Sequence, residues 1–228
     1  MILLKKSLRW LYSPQMFCIG IFVVLGLSAT GCTSFLFTIM YLIHGPNTPA
    51  EFKGLKGKKV VIGCRTVTTA DVTNEGVPRE LAHKVNYDFK KNIRKIEMVE
   101  QGEVDKSLKK KMYRIKDFRD LGTEFDTDYV IGIELERFQT TAEHSPGSLQ
   151  GRARFIVKVF DMNDEGRQVF NRTSDEIVYP PNSVIDSGNR DPEQFRREFV
   201  NRVALHIGKY FYSHNPHDFV AEDARAGL

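Results

Sequence analysis

Hydrophobic and polar positions divide the chain into an uncharged N-terminal run and a longer part with short periodic segments. The run extends from Phe17 to Ile43, and Lys5, Lys6 and Arg9 precede it. A basic start followed by an apolar stretch is typical of export signals and membrane anchors. Because positive residues stay on the cytoplasmic side, the chain after residue 45 is expected to face the outside.

The uncharged run has two main interpretations. In the first, residues 1–31 form a signal peptide, and the segment ending in Gly31-Cys32 resembles the lipobox of bacterial lipoproteins, which implies that Cys32 becomes the lipidated N-terminus. That family prefers Leu, Val or Ile three residues before the cysteine, where this chain has Ala29. Residues 32–45 would then form a membrane-proximal apolar segment, with residues 35–43 in or on the bilayer.

In the second interpretation, nothing is cleaved and the run is a transmembrane anchor. About 27 helical residues span about 40 Å, which exceeds the hydrocarbon core of about 30 Å and is accommodated by tilt. The small and polar residues 28–34 interrupt the run and favour the lipoprotein interpretation. A cleaved and freely soluble product is the third possibility.

The rest of the chain predicts a linker at residues 46–57, one α/β domain at residues 58–214 and a flexible tail at residues 215–228. The expected element order is β-α-β-α-β-β-β-α, which gives a single mixed β-sheet with helices packed on it. Right-handed crossovers would make the early strands parallel neighbours. Strands are predicted at residues 59–64, 96–99, 128–138, 151–161 and 168–179. Helices are predicted at residues 77–93, in one or two pieces within residues 102–125, and from Asp191-Pro192 to the apolar positions near Phe211.

Three patterns carry these assignments. The continuous apolar run Val60–Cys64 is typical of a central strand that is covered on both faces. Leu81, Val85 and Phe89 recur every four residues and form one buried helical stripe. Residues 151–161 alternate between apolar and polar positions, and the turn at residues 163–166 predicts a hairpin with the next strand.

Charge and cysteine content exclude some classes of function. Three of the 33 Lys and Arg residues lie in the leader and none of the 29 acids does, so the remainder has a net charge near +1. This disfavours a nucleic-acid partner, which requires a basic surface. Of the three cysteines, Cys18 lies in the leader, Cys32 is the predicted lipid site and Cys64 is expected to be a buried core residue.

No catalytic, cofactor or metal site is predicted. Residues His206, His214 and His217 with Asp218 offer zinc ligands, but Pro216 prevents a regular helix there, so a solvated tail is the preferred interpretation. A nucleophilic Cys64 would need a neighbouring histidine, which no motif indicates. Asp161, Asp164 and Glu165 fail the calcium-loop spacing and are better explained as residues of a hairpin turn. Asp126 and Asp128 could form a carboxylate pair but are better explained as loop and cap residues.

The sequence of residues 125–135, Phe-Asp-Thr-Asp-Tyr-Val-Ile-Gly-Ile-Glu-Leu, and the strand ending Val-Lys-Val-Phe-Asp before Gly-Arg-Gln-Val-Phe carry a resemblance. The pattern resembles the α/β domain of envelope lipoproteins such as curli-secretion subunits, activators of penicillin-binding proteins and the N-terminal domain of the Tol-system translocation protein. Gly31-Cys32 with residues 40–46 resembles uncharacterised planctomycete lipoproteins. The resemblance covers most of residues 27–212, implies an envelope location and carries no functional residue across.

The leading hypothesis is a membrane-anchored, extracytoplasmic and non-enzymatic binding or assembly component of the bacterial envelope, on the periplasmic side or at the outer membrane. Its expected partners are membrane lipid, through Cys32 and residues 35–43, and an envelope protein. The loop Pro180–Arg190 and the hairpin are candidate contact surfaces. The alternatives are a hydrolase or metal-dependent enzyme, with a deep pocket that holds two or more of the His, Asp and Glu residues above, and a self-associating structural component.

Overall fold

The computed structural model describes residues 47–72, 76–111 and 115–215, and for residues 68–72 it describes the backbone alone. The predicted signal peptide, Cys32 and the segment 35–43 lie outside the described residues, as do His217 and Asp218. Among the described residues, no helix combines the length and the apolar character needed to cross a bilayer.

The described part of the chain contains seven strands and four helices. In chain order these are β1 (Lys59–Val72), α1 (Val77–Asn92), β2 (Glu97–Met98), α2 (Gln101–Lys110), α3 (Arg119–Phe125), β3 (Tyr129–Thr141), β4 (Ser148–Asp161), β5 (Arg167–Thr173), β6 (Ile177–Tyr179), β7 (Ile185–Asp186) and α4 (Pro192–Gly208).

The strands form one mixed sheet in the order β2-β1-β3-β4-β5, with β6 and β7 also paired to β4. β1 is parallel to both β2 and β3, whereas β4 is antiparallel to β3 and to β5, β6 and β7. The fold-class prediction is therefore confirmed, as is the parallel arrangement of the early strands. The crossovers after β1 and β2 each carry helices, as connections between parallel neighbours do, and β1 lies between β2 and β3 in the sheet.

β1 contributes side chains to a core on each face of the sheet, as its apolar run predicts. Val60 and Ile62 lie in the larger core with residues of α1 and α4, whereas Val61 lies in a smaller core with residues of α2 and α3. α1 buries the predicted stripe of Leu81, Val85 and Phe89 in the larger core. The helices thus cover both faces of the sheet around β1.

The predicted return strand at residues 168–179 is interrupted in the structure. The Phe155 N–H donates to Ser174 Oγ at 3.0 Å, and the Ser174 N–H donates to the Phe155 carbonyl at 2.8 Å. Because the hydroxyl takes the place of a backbone acceptor, the chain leaves the ladder at residues 174–176 and resumes as β6. β7, which pairs with Ser148 and Leu149 of β4, lies inside the segment predicted as a loop.

Part of the predicted linker is packed on the domain. Thr48 and His214 exchange backbone hydrogen bonds of 2.8 and 3.1 Å, and the Phe52 N–H donates to the Tyr210 carbonyl at 2.8 Å. The Phe52 ring packs among aromatic rings of the larger core, and Leu55 is buried there. Because of these contacts the compact unit begins at Thr48, before the predicted start at residue 58.

Candidate functional site

The shortness of β2 leaves one edge of β1 open. The Glu97 N–H donates to the Lys58 carbonyl at 2.9 Å, and the Val99 N–H donates to the Val60 carbonyl at 3.0 Å. The chain then turns away into α2 at Gln101. Within the described residues, no strand pairs this edge of β1 beyond the two residues of β2.

The side chain of Gln101 ends the ladder between the two strands. Its Nε2 donates to the Ile62 carbonyl at 3.2 Å in a buried position. Backbone groups of successive residues point to opposite edges of a strand, so Cys64 and Thr66 direct their N–H and C=O groups to the same edge as Val60 and Ile62. This edge therefore presents backbone hydrogen-bonding groups to the space between α1 and α2.

A cavity of about 790 Å³ lies along this edge, and we call it the β1 groove. Its volume falls within the range of small-ligand and cofactor sites. Apolar or weakly polar lining side chains are Ile62, Cys64, Ala82, Val104, Leu108 and Ile115. Polar and charged lining side chains are Arg65, Thr66, Arg79, Gln101, Asp105 and Lys116.

α1 and α2 form the two walls of the groove, and each helix is held in place by its packing into a hydrophobic core. α1 buries its apolar stripe in the larger core, and α2 buries Val104 and Leu108 in the smaller one. Asp105 of α2 joins the two helices, since its Oδ2 lies 2.7 Å from Nε of Arg79 and 2.7 Å from Nε2 of His83, both on α1. The groove thus has walls on separate helices that a shared carboxylate connects.

Arg65 of β1 fastens a third segment to the groove. Its guanidinium donates to the Ile115 carbonyl at 2.9 Å and to the Lys116 carbonyl at 2.6 Å, and it lies 4.7 Å above the centre of the Phe118 ring. It also pairs with Glu134, the residue opposite it on β3. These contacts hold residues 115–118 beside the end of the groove.

Glu134 is a buried carboxylate between two cations, because Lys158 Nζ lies 2.6 Å from its other oxygen. Burial raises the pKa of this carboxyl, but the hydrogen bonds from Lys158 and Arg65 outweigh burial, so its pKa lies below its ordinary value. Glu134 therefore carries a charge at neutral pH and neutralises the part of Arg65 that faces the sheet.

The mouth of the groove carries an excess of positive charge. The Arg79 side chain is 59% exposed, and Lys116 is also exposed. Asp105 is the one acid among the described lining residues, and Arg79 and His83 both contact it. An anionic group would thus find a favourable potential at the mouth and an apolar surface deeper in.

Cys64 lies inside the groove and is buried at 9% exposure, as its position at the end of an apolar run predicts. Burial raises the pKa of the Cys64 thiol. The protonated thiol is a poor nucleophile and a poor metal ligand. Cys64 therefore acts here as a small apolar lining residue.

The histidines considered for zinc do not come together in the described structure. His206 lines a second cavity of about 500 Å³ beside α4, whereas His214 lies at the bridge to Thr48. Burial, followed by the charges of Lys209, Arg202 and His214, lowers the pKa of His206 to about 3, so this side chain is neutral at physiological pH. Among the described residues, no group of three or more His, Cys, Asp or Glu side chains is arranged to hold a metal ion.

The acidic candidates stabilise turns and strand starts. Asp128 Oδ2 accepts the Lys59 N–H at 2.9 Å, and Asp128 Oδ1 accepts Nδ2 of Asn163 at 3.0 Å. The Lys59 hydrogen bond is the main reason that the pKa of Asp128 is lowered. Asp161 Oδ1 accepts the Asn163 N–H at 3.0 Å within the β4–β5 turn. None of the acidic candidates predicted from the sequence lines either of the two cavities.

The loop Pro180–Arg190 is fastened to the sheet and to α4. β7 pairs with β4, Asp186 Oδ1 accepts the Gly188 N–H at 2.8 Å, and Arg190 forms an ion pair with Glu198. Val184, at the tip, is exposed. The two charged residues thus contribute to the structure of the loop, and its role as a contact surface stays a prediction.

The groove residues were not identified from the sequence. Arg65, Arg79 and Asp105 are charged residues in ordinary helical or strand surroundings, and Gln101 follows a short strand without a motif. The available signal was the brevity of the predicted strand at residues 96–99 beside a longer apolar strand. That signal indicates an open edge only after the strand order is known.

No protein-family model matches the sequence, and no curated protein matches it significantly. Among solved structures, the chain is similar to the PelC dodecamer from Paraburkholderia phytofirmans, with 7% identity, a TM-score of 0.43, and 73% of this chain and 96% of that chain covered. It is also similar to lipoprotein GNA1162 from Neisseria meningitidis, with 10% identity, a TM-score of 0.41, and 66% and 97% covered. Protein XCC0632 from Xanthomonas campestris shows 11% identity, a TM-score of 0.43, and 72% and 90% covered. Likeness at this level carries no inference about the activity of this chain.

Proposed function

We propose that this chain is a membrane-anchored, extracytoplasmic and non-enzymatic component of the bacterial envelope that binds a partner protein in the β1 groove. The observation that carries the binding role is the open edge of β1 inside a cavity of about 790 Å³. The anchoring role rests on the basic leader, the uncharged run Phe17–Ile43 and Gly31-Cys32.

The chemistry of the groove supports binding in preference to catalysis. Its apolar walls and few polar groups are those of a recognition site. Its charged groups Arg65, Arg79 and Asp105 form ion pairs that fix the walls. The thiol of Cys64, which lines the groove, stays protonated because burial raises its pKa.

The anchor is tested by the intact mass of the protein purified from membranes of its native host, together with a Cys32→Ala variant. We expect a mature species that starts at Cys32 and carries acyl mass, and we expect that mass to disappear in the variant. An uncleaved chain with unmodified Cys32 would instead indicate that the uncharged run Phe17–Ile43 is a transmembrane anchor and that Cys32 carries no lipid.

The binding role is tested by site-specific photo-crosslinking of the full chain in its native host. A photoreactive residue in place of Lys116, at the groove, is expected to give a defined crosslinked product, whereas one in place of Val169, on exposed β5, is not. A second change, Thr66→Trp, fills the groove from an exposed strand position and should abolish the product.

The matched control is Thr173→Trp, the same change at an exposed position of β5. It should leave the product from position 116 unchanged. Equal crosslinking from positions 116 and 169, or a product that persists in Thr66→Trp, would exclude the groove as the binding site.

A further inference from the structure

We infer that the ligand of the β1 groove is an extended, acidic segment of a partner protein that adds to β1 as a new strand. The inference rests on the proposed binding role of the groove and specifies the form and the charge of what binds there.

The backbone of β1 is paired unequally on its two sides. On the side facing β3, β1 is paired from Val60 through Thr66, whereas on the opposite side the pairing ends at the Gln101 contact with Ile62. Within the described residues, no strand pairs with β1 at Cys64 and Thr66 on that side. Buried backbone groups are costly when unpaired, and Cys64 is 9% exposed whereas Thr66 is exposed, so at Cys64 a hydrogen-bonding ligand is favoured over a purely apolar one.

The shape of the groove suits an added strand. α1 and α2 lie on opposite faces of the sheet and flank the open edge, as they would flank a longer β2. A strand added there would direct alternate side chains to the two walls, towards Ala82 of α1 on one side and Val104 and Leu108 of α2 on the other. Backbone pairing supplies affinity in such complexes, and the alternate pockets supply specificity.

The charge around the groove favours an acidic ligand. Arg79 and Lys116 lie exposed at the mouth, and outside the lining α2 carries three exposed lysines, Lys106, Lys109 and Lys110, against one exposed acid, Glu103. Asp105, the acid among the described lining residues, already contacts Arg79 and His83. A segment with acidic residues beside its apolar ones complements this surface.

The experiment uses the full chain in detergent micelles and randomised phage-displayed peptides of about 10 residues, long enough for one strand. Peptides are selected on the wild-type protein and counter-selected on the Thr66→Trp variant. We expect enriched sequences with alternating apolar residues and at least one Asp or Glu. Replacing that acid by lysine should weaken binding, and Lys116→Glu should weaken binding of the acidic peptide as well.

N-methylation of the peptide backbone tests for strand addition. Methyl groups on alternate amides in one register should lower affinity by about 30-fold, which corresponds to two backbone hydrogen bonds. The same number of methyl groups in the other register should have little effect. In the complex, hydrogen exchange at the Cys64 and Thr66 amides should slow, whereas exchange at Gly63, which faces β3, should not change.

Each other outcome overturns the inference in an identifiable way. Peptides that bind the wild-type protein, fail on Thr66→Trp and tolerate methylation in both registers would leave the groove as a binding site and exclude strand addition. Failure to enrich any peptide, together with the absence of a crosslink from position 116, would exclude both the strand and the proposed function. A crosslink from position 116 to this chain's own residues, or to a second copy of it, would show that the occupant of the groove is that segment or that copy and not a partner protein.

Discussion

Replacing Gly132 by alanine is expected to destabilise the domain, because Phe118 occupies the space that a side chain would need. A Cβ at this position would lie 2.4 Å from Cδ2 of Phe118. Its neighbour in register is Gly63, where a Cβ would lie 2.9 Å from the same ring. Phe118 has little room to move, since it is 2% exposed and lies between the Arg65 guanidinium and the Phe160 ring, whose centres are 4.7 and 6.3 Å away.

The size of the effect follows from two opposing terms. Forcing one extra carbon into a packed core costs about 1–3 kcal/mol. The lower backbone entropy of unfolded alanine relative to glycine offsets about 0.5–1 kcal/mol of that cost. The difference is about 0–2.5 kcal/mol, and because the approach of 2.4 Å is severe and Phe118 is buried, we expect Gly132→Ala to lower the free energy of unfolding by the upper part of that range, about 1–2.5 kcal/mol.

Urea unfolding followed by far-ultraviolet circular dichroism measures this change. Tryptophan fluorescence would not report on the domain, because the single tryptophan, Trp10, lies in the predicted signal peptide. The control is Gly102→Ala at the start of α2, where a Cβ would have nothing within 4 Å. That variant should be as stable as the wild type or up to about 1 kcal/mol more stable.

A double-mutant cycle identifies Phe118 as the cause. If the ring is the obstruction, adding Gly132→Ala to Phe118→Leu should cost less than adding it to the wild type. An equal cost in both backgrounds would show that the penalty arises elsewhere. A Gly132→Ala protein as stable as the wild type would refute the packing of Phe118 against the two glycines.

Three further predictions concern single groups. Glu134→Gln should lower stability at neutral pH by about 1–3 kcal/mol, because the buried carboxylate accepts hydrogen bonds from Arg65 and Lys158. Because these partners hold the pKa of Glu134 below its ordinary value, the stabilisation is present above about pH 4.3 and is lost as the pH falls through the lowered pKa. A difference in urea midpoint between Glu134→Gln and the wild type that persists in strong acid would contradict this assignment. Asp191→Ala should cost about 1 kcal/mol in thermal unfolding, because its carboxylate accepts two N–H groups of the first turn of α4, whereas Asp191→Asn should retain most of that contribution. Alkylation of Cys64 by iodoacetamide, followed by peptide mass spectrometry, should be at least about 10-fold slower than that of free cysteine, and rapid labelling would argue against a buried thiol of raised pKa.

Much of the fold was predictable because burial imposes a period on the sequence. The run Val60–Cys64 indicated a strand covered on both faces, and the structure places alternate residues of it in two cores. The alternation in β4 likewise separates buried Phe155 and Val157 from the more exposed Arg154. Asp191-Pro192 marked the start of α4 because a carboxylate cap and a proline suit a first helical turn.

The features that were missed depend on contacts between distant residues. β1 extends to Val72, well past its apolar run, because it continues to pair with β3 after an irregularity between Thr66 and Asp71. β6 and β7 have three and two residues, too few for any period to appear. The packing of residues 48–57 on the domain rests on the aromatic contacts of Phe52 with rings from other elements.

The candidate site could not be predicted from the sequence for a related reason, because it lies where β2 ends. An open edge has no residue signature of its own, since it depends on the length of β2, on the Gln101 contact and on the strand order. Motif searches find groups that perform chemistry, whereas this groove offers backbone groups that every strand has. A site of this kind becomes visible only after the neighbours of β1 are known.

The groove also depends on residues that do not line it. Gly63 and Gly132 leave room for Phe118, the Phe118 ring lies beneath Arg65, and Arg65 holds the carbonyls of Ile115 and Lys116 at the end of the groove. A substitution at Gly63 or Gly132 is therefore expected to displace Phe118 and, through Arg65, the segment at the end of the groove. Because recognition by a backbone edge would require the edge and its walls to be held in place, the proposed binding would also depend on the residues that determine packing. A chain without a catalytic motif can in this way carry a specific site, with its selectivity set by two helices and the strand between them.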